Sequence, residues 1–350
     1  MDKKNTEKKK LTRDMKIFLS ISTVVIVGLI IFIITLLAPK DEIMATFDGN
    51  SITSSEFQYY YQQNLSVIMQ YKDPSMDDQT FLSSTYQSGS TATVKDLVKQ
   101  QAMSQAVQTR YLLLKVKEDG FKADATKIDQ AWQTFNTSLQ QNATSSQMTE
   151  SAFVKAAFGA SMSRIESIYR DSQLAQQYYD SKAGQISVDA AKLTDYYNTN
   201  KKSIDRAVVR HILINCASTA SDSVVAEKKK LAEDILARVN NGEDFAALAK
   251  QYSEDTGSKD SGGVYEIHDN GQMVAEFEQW AFTHKPGDTG IVRSTYGFHV
   301  MKLDSLYDTL DSQKASTTLL YQTDEYQKTV AAALTDSKYK ISVTSAFSSF

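Results

Sequence analysis

Residues 206–214 read RAVVRHILI, and at this stretch the apolar residues change from a helical spacing to a period of two. Val208 and Ile212 fall on one face of an extended chain, whereas His211 falls on the other. Because successive side chains of a β-strand point to opposite faces, this pattern predicts a strand. We assign a new domain, residues 203–305, to the region that this strand opens.

Helices and a second pair of strands are predicted after this strand. An apolar stripe predicts a helix that ends at Gly242, and Asp244 is placed to cap a second, shorter helix. A further short helix is predicted over residues 275–282, before two strands that Tyr296 and Gly297 join as a hairpin. Strands and helices in this order predict an α+β domain with a small antiparallel sheet.

The region before this domain, residues 41–202, is predicted to be mostly helical. An alternating strand and a tight turn at residues 43–50 lead into a helix, and Thr53 with Glu56 three residues later predicts a capping box at its start. Further amphipathic helices are predicted over residues 94–119, 124–139 and 163–179 and from residue 187 onward, with polar loops at 87–93 and 140–147.

The last segment, residues 306–350, is predicted to contain a helix that runs to about Leu334 and a strand at residues 339–343. The helix carries an apolar face that the segment is too short to bury by itself. We therefore expect residues 306–350 to pack back onto the helical region that precedes the α+β domain.

The N-terminal stretch predicts a membrane anchor. Basic residues crowd positions 1–16, and an uncharged apolar run over 17–38 follows them. A run of about twenty residues spans a hydrocarbon core of roughly 30 Å, and the basic flank favours a cytoplasmic N-terminus. A cleaved signal peptide is the competing interpretation, but the run exceeds the roughly 7–15 apolar residues of such peptides and lacks a small-residue cleavage site.

We therefore predict a single-pass protein of the cell membrane. Residues 1–16 would form a cytoplasmic tail, residues 17–38 a transmembrane helix, and the bulk of the chain would lie outside the cytoplasm. No cysteine lies near the end of the apolar run, so a lipid anchor has no thiol to acylate. Cys216, the one cysteine of the chain, also excludes an intramolecular disulfide.

Length and composition exclude several classes of function. The 350 residues suit two or three domains, and a net charge of −4 gives no sign of a nucleic acid partner. His268 and His284 have no second ligand at metal-like spacing, and no glycine-rich phosphate loop or serine triad appears. We therefore predict that the chain uses no cofactor.

Four short motifs follow one another along the α+β domain. They are Arg210-His211-Ile212-Leu213, then Asp244-Phe245 with Tyr252-Ser253, then Gly271-Gln272-Met273 with Phe277 and Ala281-Phe282, then Tyr296-Gly297-Phe298-His299-Val300. Their order and spacing resemble those of parvulin-type peptidyl-prolyl isomerases, and Gly49 to Phe57 resembles the opening of the chaperone domain in foldases of the PrsA and SurA type. The resemblance implies a parvulin domain inserted into a mostly α-helical SurA-like region, preceded by one transmembrane helix.

The resemblance implies three catalytic residues. His211 and His299 would lie on adjacent strands with their imidazoles hydrogen-bonded, and Asp255 would face the substrate carbonyl beside them. The reaction is rotation about an Xaa-Pro bond against a barrier of about 18–20 kcal/mol, which needs neither a nucleophile nor a cofactor. Glu254 is the alternative to Asp255, although a glutamate at a helix end is usually a solvated surface residue.

Four residues would bind substrate by the same resemblance. Met273 and Phe277, four apart on one helix face, would form the floor and wall of a proline pocket, although such spacing also fits ordinary core residues. Tyr265 would replace a leucine as an apolar wall, and Tyr296 would also contact the substrate. Residues 264–266 are predicted to form a turn at the pocket rim, which lacks a third glycine that many family members have.

We expect an extracytoplasmic foldase that catalyses cis/trans isomerisation of Xaa-Pro bonds in secreted proteins and also acts as a chaperone. Its partners would be unfolded or partly folded secreted proteins and Xaa-Pro peptides, and it would bind the membrane through its N-terminal helix. The alternatives are a non-catalytic holdase or adaptor that binds peptides with the parvulin fold, and a membrane-bound scaffold with one fixed partner. Residues 217–223 carry no arginine cluster, so phosphate recognition is not expected. The oligomeric state stays open, with a homodimer among the alternatives.

Overall fold

The computed structural model describes residues 41–86 and 91–350. These residues form two compact units: the first contains the described residues up to Ile186 together with Thr323–Phe350, and the second contains Ser187–Gln322. The predicted cytoplasmic tail and transmembrane helix, residues 1–38, lie outside the described residues. Within the two described ranges, every helix is too short or too polar to cross a membrane.

A hairpin and a helix open the first unit. Strands β1 (Ile43–Phe47) and β2 (Asn50–Thr53) pair antiparallel. Asp48 and Gly49 form the turn between them with φ values of 43° and 73°, as the predicted tight turn requires. Helix α1 (Ser54–Met69) follows β2 directly.

The predicted capping box at the start of α1 is wrong. Thr53 makes no side-chain cap, and Asp41 Oδ1 instead accepts the Ser55 N–H at 2.9 Å. The buried carboxylate of Glu56 accepts two hydrogen bonds from the Arg110 guanidinium, at 2.6 and 2.8 Å. Local spacing cannot reveal this pairing, because the two residues are 54 positions apart.

Helices make up most of the remaining first unit. They are α2 (Asp78–Ser83), α3 (Val94–Glu118), α4 (Ala125–Ser145), α5 (Glu150–Phe158) and α6 (Met162–Ala183). Helix α4 continues through residues 140–145, where a loop was predicted, because Leu139 and Ala143 are buried while Gln140 and Gln141 are exposed, as one helix face requires. The short helices α2 and α5 were not predicted, since neither is long enough to show a clear period.

The second unit is built on a four-stranded antiparallel sheet with the strand order β4-β3-β6-β5. Tyr197 of the helix before this sheet donates a hydrogen bond to Asp205 at 2.6 Å, so this helix, predicted as the end of the helical region, belongs to the second unit. In chain order the elements are α7 (Ala190–Ile204), β3 (Arg206–Asn215), α8 (Asp222–Asn240), α9 (Phe245–Tyr252), β4 (Val264–His268), α10 (Ala275–Thr283), β5 (Thr289–Arg293) and β6 (Gly297–Tyr307).

Both faces of this sheet are covered, as the period of β3 predicts. Ile212 and Ile214 pack with apolar residues of α8 and α9 on one face. Val209 packs with Phe277 of α10 and with Met301 of β6 on the other. The predicted α+β order is therefore confirmed, and His211 lies on the face that α10 covers, where its ring meets Phe277.

The predicted rim turn at residues 264–266 is wrong, because these residues belong to β4. Val209 of β3 pairs with Tyr265, and the reversal before β4 is made by Gly262 and Gly263, both with φ at 77°. The Gly263 carbonyl accepts the His211 N–H at 2.8 Å. A β-carbon at Gly263 would lie 2.3 Å from the His211 carbonyl oxygen, so the close pairing of the two strands requires glycine here.

The C-terminal segment completes the first unit. Helix α11 (Lys314–Ala333) begins in the second unit and enters the first at Thr323, so only part of the segment 306–350 joins the helical region as expected. The helix is followed by the two-residue strand β7 (Ser342–Val343) and the short helix α12 (Ser345–Ser349). Strand β7 pairs antiparallel with β1 and extends the hairpin to a three-stranded sheet. Tyr339 lies in a 3-10 turn rather than in the predicted strand, and its ring stacks on Phe47 with centroids 5.4 Å apart.

Candidate active site

Two neighbouring strands of the second unit place His211 and His299 together. His211 lies on β3 and His299 on β6, and the pairing of Leu213 with His299 sets the two histidines diagonally across the ladder. Their Nδ1 atoms are 3.1 Å apart, and each residue is 4% exposed. The expected hydrogen bond between the two imidazoles is therefore present.

The loop after α9 brings Asp255 to this pair. Ser253 Oγ accepts the Leu213 N–H at 3.1 Å, and this bond fixes the start of the loop against β3. Asp255 Oδ2 then lies 2.9 Å from His211 Nε2. The alternative carboxylate, Glu254, is engaged elsewhere, since it accepts the N–H of Asn215 at 2.5 Å.

The Asp255 carboxylate is surrounded by neutral donors. Besides His211, it accepts hydrogen bonds from the hydroxyls of Ser258 and Tyr265, at 2.5 and 3.1 Å, and from the Gly257 N–H at 3.1 Å. Burial alone would raise the pKa of Asp255, but these bonds, led by the one from Ser258, lower it to about 2. Asp255 is therefore an anion at neutral pH.

Because Asp255 is an anion, the donor and the acceptor of each hydrogen bond along the network can be identified. A carboxylate only accepts, so His211 donates through Nε2 and accepts at Nδ1. His299 must then donate through Nδ1, and its Nε2 accepts the hydroxyl of Ser294 at 2.6 Å. Ser294 Oγ in turn accepts the Tyr296 N–H at 3.1 Å. The bonds thus run in one direction, from the β5–β6 hairpin through both histidines to Asp255.

Burial keeps both imidazoles neutral. It lowers the pKa of His211, although Asp255 acts in the opposite direction. For His299, burial and the neighbouring His211 together lower the pKa to about 4. Two neutral rings are what the assigned network requires, because each histidine accepts one bond and donates one.

Acid is expected to destabilise the second unit between about pH 6.5 and pH 4. An unfolded histidine titrates near 6.5, whereas folded His299 has a pKa of about 4. Across this window the unfolded chain binds more protons than the folded chain. The contribution of His299 to the free energy of unfolding is therefore fully present above pH 6.5 and is lost as the pH falls. Urea unfolding at pH 7 and pH 5, followed by Trp280 fluorescence in a Trp132→Phe background, measures the loss. In His299→Asn the pH dependence should shrink, and equal stability of the parent at both pH values would contradict the assignment.

The predicted substrate residues differ in how closely they approach the histidines. The Phe277 ring is fully buried and meets His211 and His299 edge to face, with centroids 5.3 and 5.5 Å apart, so it forms a floor beneath the pair. Met273 is half-buried and packs into the same apolar cluster. Tyr296 is 62% exposed and joins the network only through its backbone N–H.

The predicted role of Tyr265 as an apolar wall describes only its ring, which packs against the apolar cluster that contains Phe277. The Tyr265 ring lies beside His211, with centroids 5.4 Å apart, but its hydroxyl donates to the Asp255 carboxylate. The residue is therefore a polar support of the anion. Gly257 makes room for it, because a β-carbon there would lie 2.8 Å from the Tyr265 hydroxyl.

Sequence reasoning missed two serines that the network uses. Ser258 is 1% exposed and bonds to Asp255, and Ser294 is 6% exposed and bonds to His299. Each lies close to a motif residue, Ser258 three positions after Asp255 and Ser294 two before Tyr296. That proximity was the available signal, but serine is too common in loops for it to be selective.

The other two histidines lie outside this network. His268 Nδ1 is 2.9 Å from the Asp205 carbonyl oxygen, and His284 Nδ1 is 2.9 Å from the Trp280 carbonyl oxygen. Within residues 41–86 and 91–350, no three histidine, cysteine or acidic side chains converge as metal ligands would.

Comparison with known proteins bears on the second unit most directly. Residues 192–306 match the family model described as the PPIC-type PPIASE domain. Foldase protein PrsA 3 of Bacillus anthracis is 48% identical over 81 residues, which are 23% of this chain and 29% of that protein. PrsA 1 of Listeria innocua is 38% identical over 120 residues, which are 34% of this chain and 36% of that protein.

One relative matches over most of the chain. The foldase protein PrsA of Caldanaerobacter subterraneus subsp. tengcongensis is 28% identical over 272 residues, which are 77% of this chain and 75% of that protein. The crystal structure of PrsA from Bacillus subtilis aligns with 70% of this chain and 89% of its own, at 22% identity and a TM-score of 0.34.

Proposed function

We propose that this chain, a parvulin-type peptidyl-prolyl cis-trans isomerase related to the PrsA foldases, works outside the cytoplasm on secreted proteins that are still folding. Uncatalysed isomerisation of an Xaa-Pro bond takes tens of seconds or longer, which is slow enough to limit folding. The observation that carries the proposal is the one-directional network that joins His299, His211 and an anionic Asp255 above the Phe277 ring. It is a hydrogen-bonded polar site beside an apolar floor.

The catalytic role of the three network residues follows from the charge of Asp255. Conjugation in a planar amide places negative charge on the carbonyl oxygen, and rotation removes it. A fixed anion facing that oxygen disfavours the planar form relative to the twisted one, which lowers the barrier. His211 and His299 would hold the anion in place, since each bond in the network has one defined direction.

Substrate binding would fall to the apolar side of the site. Met273 and Phe277 belong to one cluster around α10, and Met273 keeps part of its surface exposed. A proline ring needs an apolar contact of this kind, and the site needs no hydrogen-bond acceptor for the proline nitrogen, because proline has no N–H. The exposed ring of Tyr296, on the hairpin beside Ser294, would contact residues that flank the proline.

The non-catalytic holdase loses its main support in this structure. That alternative rested on an altered turn at residues 264–266, and these residues instead form a paired strand that carries Tyr265 to Asp255. The helical first unit would add a chaperone function by holding clients near the isomerase. Suppression of aggregation of several unrelated unfolded proteins would support this role, and activity toward one protein alone would favour a scaffold.

The proposed isomerase activity can be tested with the full-length chain in detergent micelles. Exchange spectroscopy on short Xaa-Pro peptides should show faster cis/trans exchange than in micelles alone. The peptides should carry different residues before proline, so that a preference at that position does not conceal the activity. No acceleration of any peptide would contradict the isomerase proposal.

The proposed location rests on the basic and apolar runs of residues 1–38 alone. We expect the chain to sediment with membranes and its bulk to be digested by protease added from the extracytoplasmic side. A version in which residues 17–38 are replaced by a polar linker serves as the control. Recovery of a soluble chain that begins after Ala38 would identify the run as a cleaved signal peptide.

A further inference from the structure

Glu278, on helix α10, is a buried carboxylate without a cationic partner among the contacts that the structure describes. It is 7% exposed, and both of its oxygens accept the Gly271 N–H, at 2.9 and 3.1 Å. The Met273 N–H also points at it, at 3.4 Å. A buried carboxylate is costly unless hydrogen bonds replace its water, and here backbone amides of one loop supply them. Burial and the neighbouring Asp269 carboxyl group raise the pKa of Glu278, whereas the bonds from Gly271 and Met273 lower it.

These bonds tie the loop before α10 to the helix. Val274, at the N-terminal cap position, makes no side-chain cap, and the amides that Glu278 accepts from, those of Gly271 and Met273, lie just before the helix. Gly271 has φ at 80°, and a β-carbon there would meet no other atom within 4 Å. The turn therefore depends on the carboxylate rather than on packing around Gly271.

The loop carries Met273, and the helix carries Phe277. Phe277 supports both histidines, and its immediate neighbour Glu278 fixes the backbone of Met273. One turn of α10 thus connects the polar network to the apolar side of the site.

We propose that Glu278 is a positioning residue that sets where Met273 contacts the proline ring. This inference rests on the proposed isomerase function, because it assigns Met273 to the substrate pocket. Contact with the ring is made equally in the planar and twisted states of the substrate. Glu278 therefore acts on peptide affinity and leaves the rate of rotation on the enzyme almost unchanged.

Glu278→Gln tests this role, with Glu276→Gln as the matched control on an exposed position of the same helix. Glutamine keeps the size of the side chain but presents one acceptor and an amide group that repels the loop N–H groups. We expect peptide Kd to rise about tenfold, since the Gly271 and Met273 amides then lose one of the two oxygens that accept from them. The exchange rate of bound peptide should change less than about twofold. Glu276→Gln should behave as the parent.

A double-mutant cycle separates positioning of Met273 from a general structural effect. In a Met273→Ala background, Glu278→Gln should cause little further loss of peptide affinity, because the residue it positions is gone. Fully additive losses would overturn the inference. Loss of affinity and of bound-state exchange rate together, in the single variant, would also contradict it.

Hydrogen exchange on the unmutated chain keeps the inference testable if Glu278→Gln fails to fold. The Gly271 and Met273 amides should exchange at least about tenfold more slowly than in an unstructured peptide. Free exchange of both amides would overturn the inference. An unmutated chain that binds Xaa-Pro peptides without accelerating their cis/trans isomerisation would instead contradict the proposed function.

Discussion

Asp255→Asn is expected to lower kcat/KM for an Xaa-Pro peptide by about 10²-fold, the usual cost of losing one preorganised electrostatic group. Asparagine keeps an oxygen that can accept from His211, so the substitution removes mainly the negative charge. That charge is held at neutral pH because the bonds around Asp255 lower its pKa to about 2. Peptide Kd should change little, since the charge acts on the twisted state of the substrate.

The neighbouring carboxylate provides the control for this prediction. Glu254→Gln removes a charge one position away, on a side chain that bonds to the Asn215 N–H and contacts neither histidine in the described hydrogen bonds. We expect Glu254→Gln to retain activity within about twofold, measured by exchange spectroscopy on the same peptide. Equal activity of Asp255→Asn and the parent chain would exclude the anion from catalysis.

Gly263→Ala is expected to destabilise the second unit by about 2–5 kcal/mol. A left-handed φ costs an L-residue about 1–2 kcal/mol, and overpacking adds about 1–3 kcal/mol. The clash is with the His211 carbonyl oxygen, 2.3 Å from the added carbon, so β3 and β4 must move apart at His211. Isomerase activity should therefore fall along with stability. Urea unfolding followed by Trp280 fluorescence, again with Trp132→Phe, measures the change in this unit alone.

Gly242→Ala separates the backbone effect from the clash. Gly242 also has a positive φ, at 86°, but a β-carbon there meets no atom within 4 Å. We expect a loss of only about 1–2 kcal/mol and full activity. If both variants lost the same stability, the close approach of β4 to His211 would not be the constraint that the geometry indicates.

Local sequence patterns predicted most of the second unit, because strand periods and helix caps depend on residues that are close together in the chain. The period of two in β3 placed His211 on the opposite face from Ile212, and Asp244 does cap α9, accepting the Ala247 N–H at 2.7 Å. Residues 264–266 were misread because glycine spacing suggested a turn, whereas pairing with β3 decided for a strand. Strand pairing depends on residues far apart in the chain, so a local pattern cannot establish it.

In the site, too, the sequence predicted the motif residues but not the loop residues that hydrogen-bond to them. The residues with unusual chemistry in a motif, two histidines and an aspartate, could be named from the sequence, and the structure brings all three together. Ser258 and Ser294 could not, because their hydroxyls matter only through the path of the loops that carry them. The polar contact of Tyr265 with Asp255 was missed for the same reason, as the aromatic ring alone suggested an apolar wall.

The first unit is closed by strands from opposite ends of the described chain. This arrangement determines the order in which the two units can fold. Strand β7 pairs with β1, and Thr344 bonds to Ile43 across 301 positions, whereas the second unit is one continuous stretch. During synthesis the second unit can form as soon as its own residues emerge, but the first unit also needs residues 323–350. We therefore expect a newly made chain to gain its isomerase before its helical unit is complete.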